Sequence, residues 1–239
     1  MKTYGLVGKS LDHSFSKKYF IDKFNSYNIQ NVEYINIEIE NINHLFNHPK
    51  FSLLSGFNIT IPYKQSIIPF LDKIDPIAKT INAVNCVNIE NQQLVGYNTD
   101  YIGFKESLKP WLKLGIDKAL ILGQGGASKA VSYALQELNI KYRTIARNTT
   151  NDFSSIHQKT INAYPLIVNC TPLGSYPNIS SYPPLPYHFL SQKHLLYDLI
   201  YNPKETLFLK KGKSQNTFIQ NGYEMLTIQA EKSWEIWSN

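Results

Sequence analysis

"KALILGQGGASKAVSYALQEL", residues 118–138, decides the fold. An apolar run that favours β structure closes on a glycine turn, and the residues after the turn recur at helical spacing. Gly123 and Gly125 match the first two glycines of a GxGxxG turn, and Ser128 stands where the third would be. Placed between a strand and a helix, such a turn aims backbone N–H groups and the positive helix end at a pyrophosphate. The plainer alternative is a glycine turn needed only for packing. Downstream, "KYRTIAR" (141–147), "YPLIVNCT" (164–171) and "LLYDLIY" (195–201) read as further strands. That rhythm predicts a Rossmann-like, doubly wound nucleotide-binding domain.

The end of the second strand bears on the cofactor. A site for NAD places Asp or Glu about 20 residues past the glycines, against the ribose diol. Here "IARNTT" (145–150) carries Arg147, and no carboxylate precedes Asp152. A guanidinium at this point suits the 2′-phosphate of NADP, and the chain has only one other arginine, Arg143. Against this stands an Arg147 that merely ends a strand in solvent. The proline-rich "SYPNISSYPPLP" (175–186) is expected as a long surface loop, of a length that often goes with function.

Upstream, "TYGLVGKS" (3–10) reads as a strand, and residues 14–28 space Phe15, Tyr19, Phe20 and Phe24 as one helical face. Ser14 or Ser16 is its N-cap. "VEYINIEI" (32–39) alternates as a strand, "INHLFNH" (42–48) reads as a short helix, and "SGFNITIP" (55–62) as the next strand. Residues 63–75 and 76–83 are expected as short helices broken by prolines, and 84–100 as a hairpin. "NGYEMLTIQAEKSWEIW" (221–237) is helical and returns to pack elsewhere. The expectation is α/β in two domains. The first is 1–99 plus 222–239, and the second is 100–221, which binds NADP. Lys64, just past the buried-looking "FNITI" and Pro62, either points into water or serves chemistry.

Composition limits the alternatives. The 239 residues are 43% apolar and 18% charged, a globular balance, and the net charge of +6 comes from scattered lysines without a basic block. Nucleic-acid binding has no support in that pattern. Cys86 and Cys170 have no CxxC spacing and are expected as buried thiols of a reducing, cytoplasmic protein. His44 and His48 flank a loop ending in Pro49, so no metal is expected. No apolar stretch reaches membrane-spanning length, and no signal peptide is read at the start.

Taken in order, the motifs resemble those of the NADP-dependent shikimate dehydrogenase family. "GLVGKSLDHSFSKKYF" (5–20) is similar to the family's opening strand and Ser-x-Ser helix start, and "GFNITIPYK" (56–64) to its Asn-x-Thr-x-Pro-x-Lys signature. "INAVNCV" (81–87), "GYNTDYIGF" (96–104), "GQGGAS" (123–128), "VNCTPLG" (168–174) and "DLIYNPKETLFL" (198–209) resemble later segments end to end. The resemblance implies reversible reduction of 3-dehydroshikimate by NADPH in aromatic amino acid biosynthesis. It implies Lys64 and Asp100 as a catalytic pair, with Ser14 and Ser16 on the substrate's carboxylate. Asn58, Thr60, Asn85 and Gln229 would bind its hydroxyls, with Tyr201 contacting substrate from the cofactor side. The cofactor-binding residues it implies are Gly123, Gln124, Gly125, Gly126, Ala127, Ala146, Arg147, Asn169, Thr171, Pro172 and Gly222. It implies too that 1–99 plus 222–239 binds substrate, with an active-site cleft between the two domains; the partner is a small molecule, and the chain is expected as a monomer or homodimer.

The sequence departs from the family at Asn82 and Cys86, where glycine and threonine are usual, in "ARN" for Asn-Arg-Thr, and at Glu224 for glycine. Loss of a substrate-side hydroxyl at Cys86, looser NADP preference and a negative charge near the nicotinamide end are the expected consequences. Two other readings stand beside the dehydrogenase: an enzyme for quinate or another polyol acid, and a non-catalytic nucleotide-sensing module on the same fold.

Overall fold

Each of the two sheets buries side chains on both of its faces, as strands covered from either side must. The structure, a computed structural model, describes residues 1–12, 14–147 and 152–238. One unit comprises Met1–Thr99 with Gln229–Asn239, and the other Asp100–Ile228. The α/β class expected from the sequence is the one the chain adopts. The sequence puts the chain's return at 222; the division falls later, inside helix α7 (Tyr223–Ser238).

The first unit contains β1 (Lys2–Gly8), α1 (Phe15–Ser26), β2 (Val32–Glu38), β3 (Leu54–Ile59), β4 (Lys73–Ile74), α2 (Pro76–Ile81), β5 (Cys86–Glu90) and β6 (Gln93–Tyr97). They form a six-stranded sheet of order β2-β1-β3-β5-β6-β4. Strands β2, β1 and β3 run parallel, and β5 is antiparallel to both β3 and β6. The C-terminal ends of β1, β3 and β6 therefore share one edge. Strand parity sorts the side chains: Phe57 and Ile59 join Val7 and Ile37 in one core, while Tyr34, Cys86 and Trp237 belong to the other. Gly56 is required by close approach, because a Cβ there would lie 2.6 Å from Trp237 Nε1. Trp237 stacks on Tyr4 at 4.7 Å and donates from Nε1 to the Val87 carbonyl at 3.0 Å, which fixes the C-terminal helix to this sheet.

Several local expectations change. Residues 63–75 are not a helix; only Ile68–Phe70 forms a 3₁₀ turn, and Lys73–Ile74 becomes a strand. Pro69 restricts that turn, and the N–H groups of Asp72 and Asp75 pair with the carbonyls of Leu94 and Gly96 on β6. Likewise "INHLFNH" supplies only the 3₁₀ turn Ile42–His44. The expected hairpin is present, turning at Asn91 and Gln92 with φ of 50° and 66°, as a two-residue turn matching strand twist requires. Asn82 ends α2 at φ 55°, ψ 43°, a left-handed conformation that asparagine tolerates and glycine adopts freely. The departure at this position thus leaves the backbone route intact.

The second unit contains α3 (Asp100–Leu108), β7 (Lys118–Leu122), α4 (Gly126–Glu137), β8 (Lys141–Ile145), α5 (Gln158–Ala163), β9 (Leu166–Asn169), β10 (Leu195–Asp198), α6 (Leu207–Lys213) and β11 (Phe218–Gln220). All five strands are parallel, in the order β11-β10-β9-β7-β8. The order reverses between β7 and β9, the switch point at which open α/β sheets bind ligands. One face packs Phe104, Val131 and Leu135; the other packs Ile161, Phe208 and Leu209. The edge strand β11 is too short to have shown in the sequence pattern.

Candidate active site

In the first unit the candidate residues follow the C-terminal ends of β1, β3 and β6. After β1 the chain turns toward α1, and this turn is held by Leu11 N–H donating to Glu38 Oε1 and Ser14 N–H donating to the Leu11 carbonyl at 2.8 Å. Ser14 is the N-cap of α1, yet among the described residues its hydroxyl makes no capping bond, and Ser14 and Ser16 are both half-buried. The hydroxyl is not committed to the helix. Gly8 permits the assembly, since a Cβ would sit 2.6 Å from both Leu11 Cδ2 and Thr60 Cγ2.

After β3, the Thr60 N–H donates to the Val7 carbonyl at 3.0 Å and Tyr63 N–H to the Thr60 carbonyl at 2.9 Å. The Tyr63 ring is buried, and its hydroxyl donates to the Ile39 carbonyl. Lys64 comes next, half-buried, with its carbonyl accepting from Val84 N–H at 2.7 Å. Strand β3 ends at Ile59, short of the Pro62 to which the sequence reading extended it.

Asn58, Asn85 and Gln229 meet in one buried polar network. Asn58 Nδ2 donates to the Asn85 carbonyl at 3.1 Å and to Ser233 Oγ at 2.9 Å, while its Oδ1 accepts from the Tyr34 hydroxyl at 2.9 Å. Both amide hydrogens of Asn58 are thus spent inside the unit, which suits it to holding its neighbours. Asn85 Nδ2 donates to Thr99 Oγ1 at 2.9 Å and Gln229 Oε1 at 3.2 Å, and its Oδ1 accepts from Thr99 N–H at 2.6 Å. Sequence reasoning missed Tyr34, Thr99 and Ser233; the signal available was Ser233 lying one helical turn beyond Gln229. Cys86, expected beside the substrate, is wholly buried in the aromatic core with Tyr34 and Trp237, so its replacement of threonine removes no hydroxyl from an accessible surface.

The second unit begins with Asp100, 5% exposed, at the start of α3. Its glycine turn lies at the switch point. Gly123, at φ 111°, would bring a Cβ to 3.2 Å from the Cys170 backbone, so only glycine lets the loops after β7 and β9 abut. Ser128, in place of the third glycine, donates to the Gly123 carbonyl at 2.7 Å and braces the turn. Gly125 differs: its φ is −76°, and a Cβ there would meet nothing within 4 Å. Neither backbone nor packing asks for glycine at this position, whereas close approach of a pyrophosphate to the start of α4 does, and these residues fit NADP. Gln124 is exposed, Gly126 and Ala127 are half-buried, Ala146 is buried, and Arg147 is exposed at the end of β8.

The loops after β9 and β10 are cross-braced. Asn169 Oδ1 accepts from Thr171 N–H at 3.0 Å and from Thr171 Oγ1 at 2.6 Å, and Pro172 follows exposed. Half-buried Tyr201 lies on the loop after β10. Gly222 is obligatory, because a Cβ would fall 2.0 Å from the Leu199 carbonyl oxygen, and its N–H donates to the Ile200 carbonyl at 3.0 Å. Cys170 is half-buried rather than fully buried, and burial still pushes its thiol well above the usual range, so it stays protonated. Glu224 is exposed and accepts from Gln220 Nε2 at 3.4 Å. Among the described residues no helix is long and apolar enough to cross a membrane, and no three His, Cys, Asp or Glu side chains gather as a metal site.

A family model described as the shikimate dehydrogenase substrate binding domain matches residues 6–87. The chain is 36% identical to the NADP(+) shikimate dehydrogenase of Methanosphaera stadtmanae, covering 98% of this chain and 90% of that one. A crystal structure of a shikimate dehydrogenase in complex with NADP+ superposes with a TM-score of 0.86 at 31% identity, over 100% of this chain and 90% of that one. The shikimate 5-dehydrogenase of Thermus thermophilus, in complex with NADP(H) and shikimate, gives 0.85 at 28% identity, over 100% and 94%. With likeness of this extent to sequences and structures alike, the chain belongs to the shikimate dehydrogenase family.

Proposed function

We propose that the chain catalyses the reversible NADPH-dependent reduction of 3-dehydroshikimate to shikimate, within aromatic amino acid biosynthesis. The observation carrying this reading is family likeness over 98% of the chain together with retention of both Lys64 and Asp100 in their motifs. When bound, NADPH supplies the hydride for the carbonyl carbon. Negative charge then develops on the substrate oxygen, and a cationic proton donor beside it lowers the barrier. Lys64 takes that part, with the Asp100 carboxylate as its partner in proton relay. Ser14 and Ser16, at the start of α1, hold the substrate's carboxylate, because hydroxyls and the positive end of the helix favour an anion. Thr60, Asn85 and Gln229 take the ring hydroxyls, Asn85 by exchanging its amide bond to Gln229 for one to substrate, while Asn58 steadies them and Tyr201 contacts substrate from the cofactor side.

For the cofactor, residues 123–127 take the pyrophosphate and Ala146 and Arg147 the 2′-phosphate end. Asn169, Thr171, Pro172 and Gly222 take the nicotinamide half. Thiols held outside any disulfide at Cys86 and Cys170 support a cytoplasmic protein, acting as monomer or homodimer. The deciding experiment follows absorbance of NADPH formed from shikimate and NADP, with quinate and NAD as controls. Reduction of NADP by shikimate is expected. No turnover on shikimate would sink the reading, and faster turnover on quinate would favour the polyol-acid alternative.

A further inference from the structure

Asp198 is a carboxylate wholly shielded from solvent at the C-terminal end of β10. Its Oδ1 accepts from Asn169 Nδ2 at 3.0 Å and from Ile200 N–H at 3.1 Å, and its Oδ2 accepts from Thr206 Oγ1 at 2.6 Å. The donors come from the end of β9 and from the two ends of the segment between β10 and α6. Asn169 closes β9 and holds Thr171; Ile200 starts the loop bearing Tyr201, and its carbonyl receives Gly222 N–H; Thr206 caps α6, its Oγ1 accepting from Leu209 N–H. A single acid thus joins residues 169–174 to 199–206 and, through Leu199 and Ile200, to the turn at Gly222. No proposed role in substrate or cofactor contact uses it.

We propose that Asp198 is a positioning residue for the dinucleotide, fixing through Asn169, Ile200 and Thr206 the loops that would meet its nicotinamide half. The inference rests on the assignment of those loops to NADP made above. Three donors converging on one carboxylate are held most strongly by its ionised form, because charge-assisted bonds are the stronger; the protonated acid keeps Asn169 and Ile200 on Oδ1 but reverses the third bond, its own O–H donating to the Thr206 hydroxyl. Among the described residues the titratable groups facing it are the Cys170 thiol and the Tyr187 phenol, both raised by burial and therefore neutral. Burial pushes Asp198 itself up to about 7, against the bonds from Thr206, Ile200 and Asn169 that favour its charge. Cofactor affinity therefore strengthens as pH rises through neutrality. The sign for folding is opposite: a raised carboxyl contributes stability below the unfolded value, and this is lost as pH rises through about 7.

The test is calorimetric binding of NADP and, separately, of shikimate to the intact chain, with thermal melts to confirm folding. Asp198→Ala should raise the Kd for NADP by about tenfold or more, the size of a broken buried hydrogen-bond set, while shikimate changes by less than about twofold. Asp198→Asn imitates the protonated acid. It should weaken NADP by about threefold at pH 8 and approach wild type at pH 6. A folded Asp198→Ala with unchanged NADP affinity, or with NADP and shikimate weakened alike, overturns the proposal. Should the alanine variant not fold, unchanged NADP affinity of Asp198→Asn at pH 8 does the same. A wild type that binds no NADP overturns the cofactor assignment along with it, whereas a binding wild type with unaffected variants overturns this inference alone.

Discussion

The Lys64 carbonyl accepts a hydrogen bond of 2.7 Å from the N–H of Val84, the residue immediately before Asn85. One bond therefore ties the turn after β3 to the segment entering β5, and brings the backbone of the proposed catalytic lysine beside the polar network of Asn58, Asn85 and Gln229.

If the Lys64 ammonium donates the proton to the substrate oxygen, its removal is costly. Lys64→Ala is expected to lower kcat by about 10²–10⁴, the usual size of a lost general acid, with a smaller change in KM for shikimate. Lys64→Arg separates charge from proton donation, since guanidinium keeps its proton. Activity in Arg but not in Ala assigns electrostatic stabilisation; a folded Lys64→Ala with near-normal kcat refutes the role.

Arg147 is exposed at the end of β8, where an anion can reach it. Arg147→Ala should weaken NADP by about 1.5–3 kcal/mol, one charge-assisted bond, and leave NAD almost unchanged. Steady-state kinetics with both cofactors checks this. Equal losses would show a general effect on the fold.

Two glycines make opposite forecasts. Gly125 faces open space, so Gly125→Val should leave the melting temperature near wild type while abolishing or sharply weakening NADP binding. Gly222 lies against the Leu199 backbone, and Gly222→Ala should destabilise the protein before any ligand is added. Thermal melts with and without NADP separate the two. A Gly125→Val variant that bound NADP normally would remove the pyrophosphate from this turn.

Glu231 supplies a pH dependence. Burial raises its carboxyl, and the Lys23 ammonium at 2.5 Å together with the Tyr19 hydroxyl outweighs this, so the folded value lies below the ordinary carboxylate range. A lowered carboxyl contributes stability above the unfolded value, about 4.3, which is lost as pH falls through the folded one. Glu231→Gln should accordingly flatten the acid limb of a stability curve measured between pH 3 and pH 6. The glutamate is 41% exposed, so solvent screening keeps the effect small. An unchanged acid limb would show that the pairing of α1 with α7 contributes nothing.

The sequence by itself determined the α/β class, the glycine turn between β7 and α4, the βαβ series, and the motifs carrying Lys64, Asp100 and Arg147. Those features are local: hydrophobic period, turn chemistry and spacing are set by neighbours a few residues apart. It misread residues 63–75, because the pairing of Lys73–Ile74 with β6 depends on a strand some twenty positions later, which no local pattern reports. Only the tertiary structure decided which polar residues are shared out among one another. Asn58 lies 175 positions from Ser233 and Asn85 lies 144 from Gln229, and folding alone makes these pairs neighbours in surroundings dry enough that every hydrogen bond must be met from within. The same reason hid Asp198. In the chain it is one acidic residue in "LLYDLIY", and it becomes a hub because β9, β10 and the start of α6 converge on it where no water reaches.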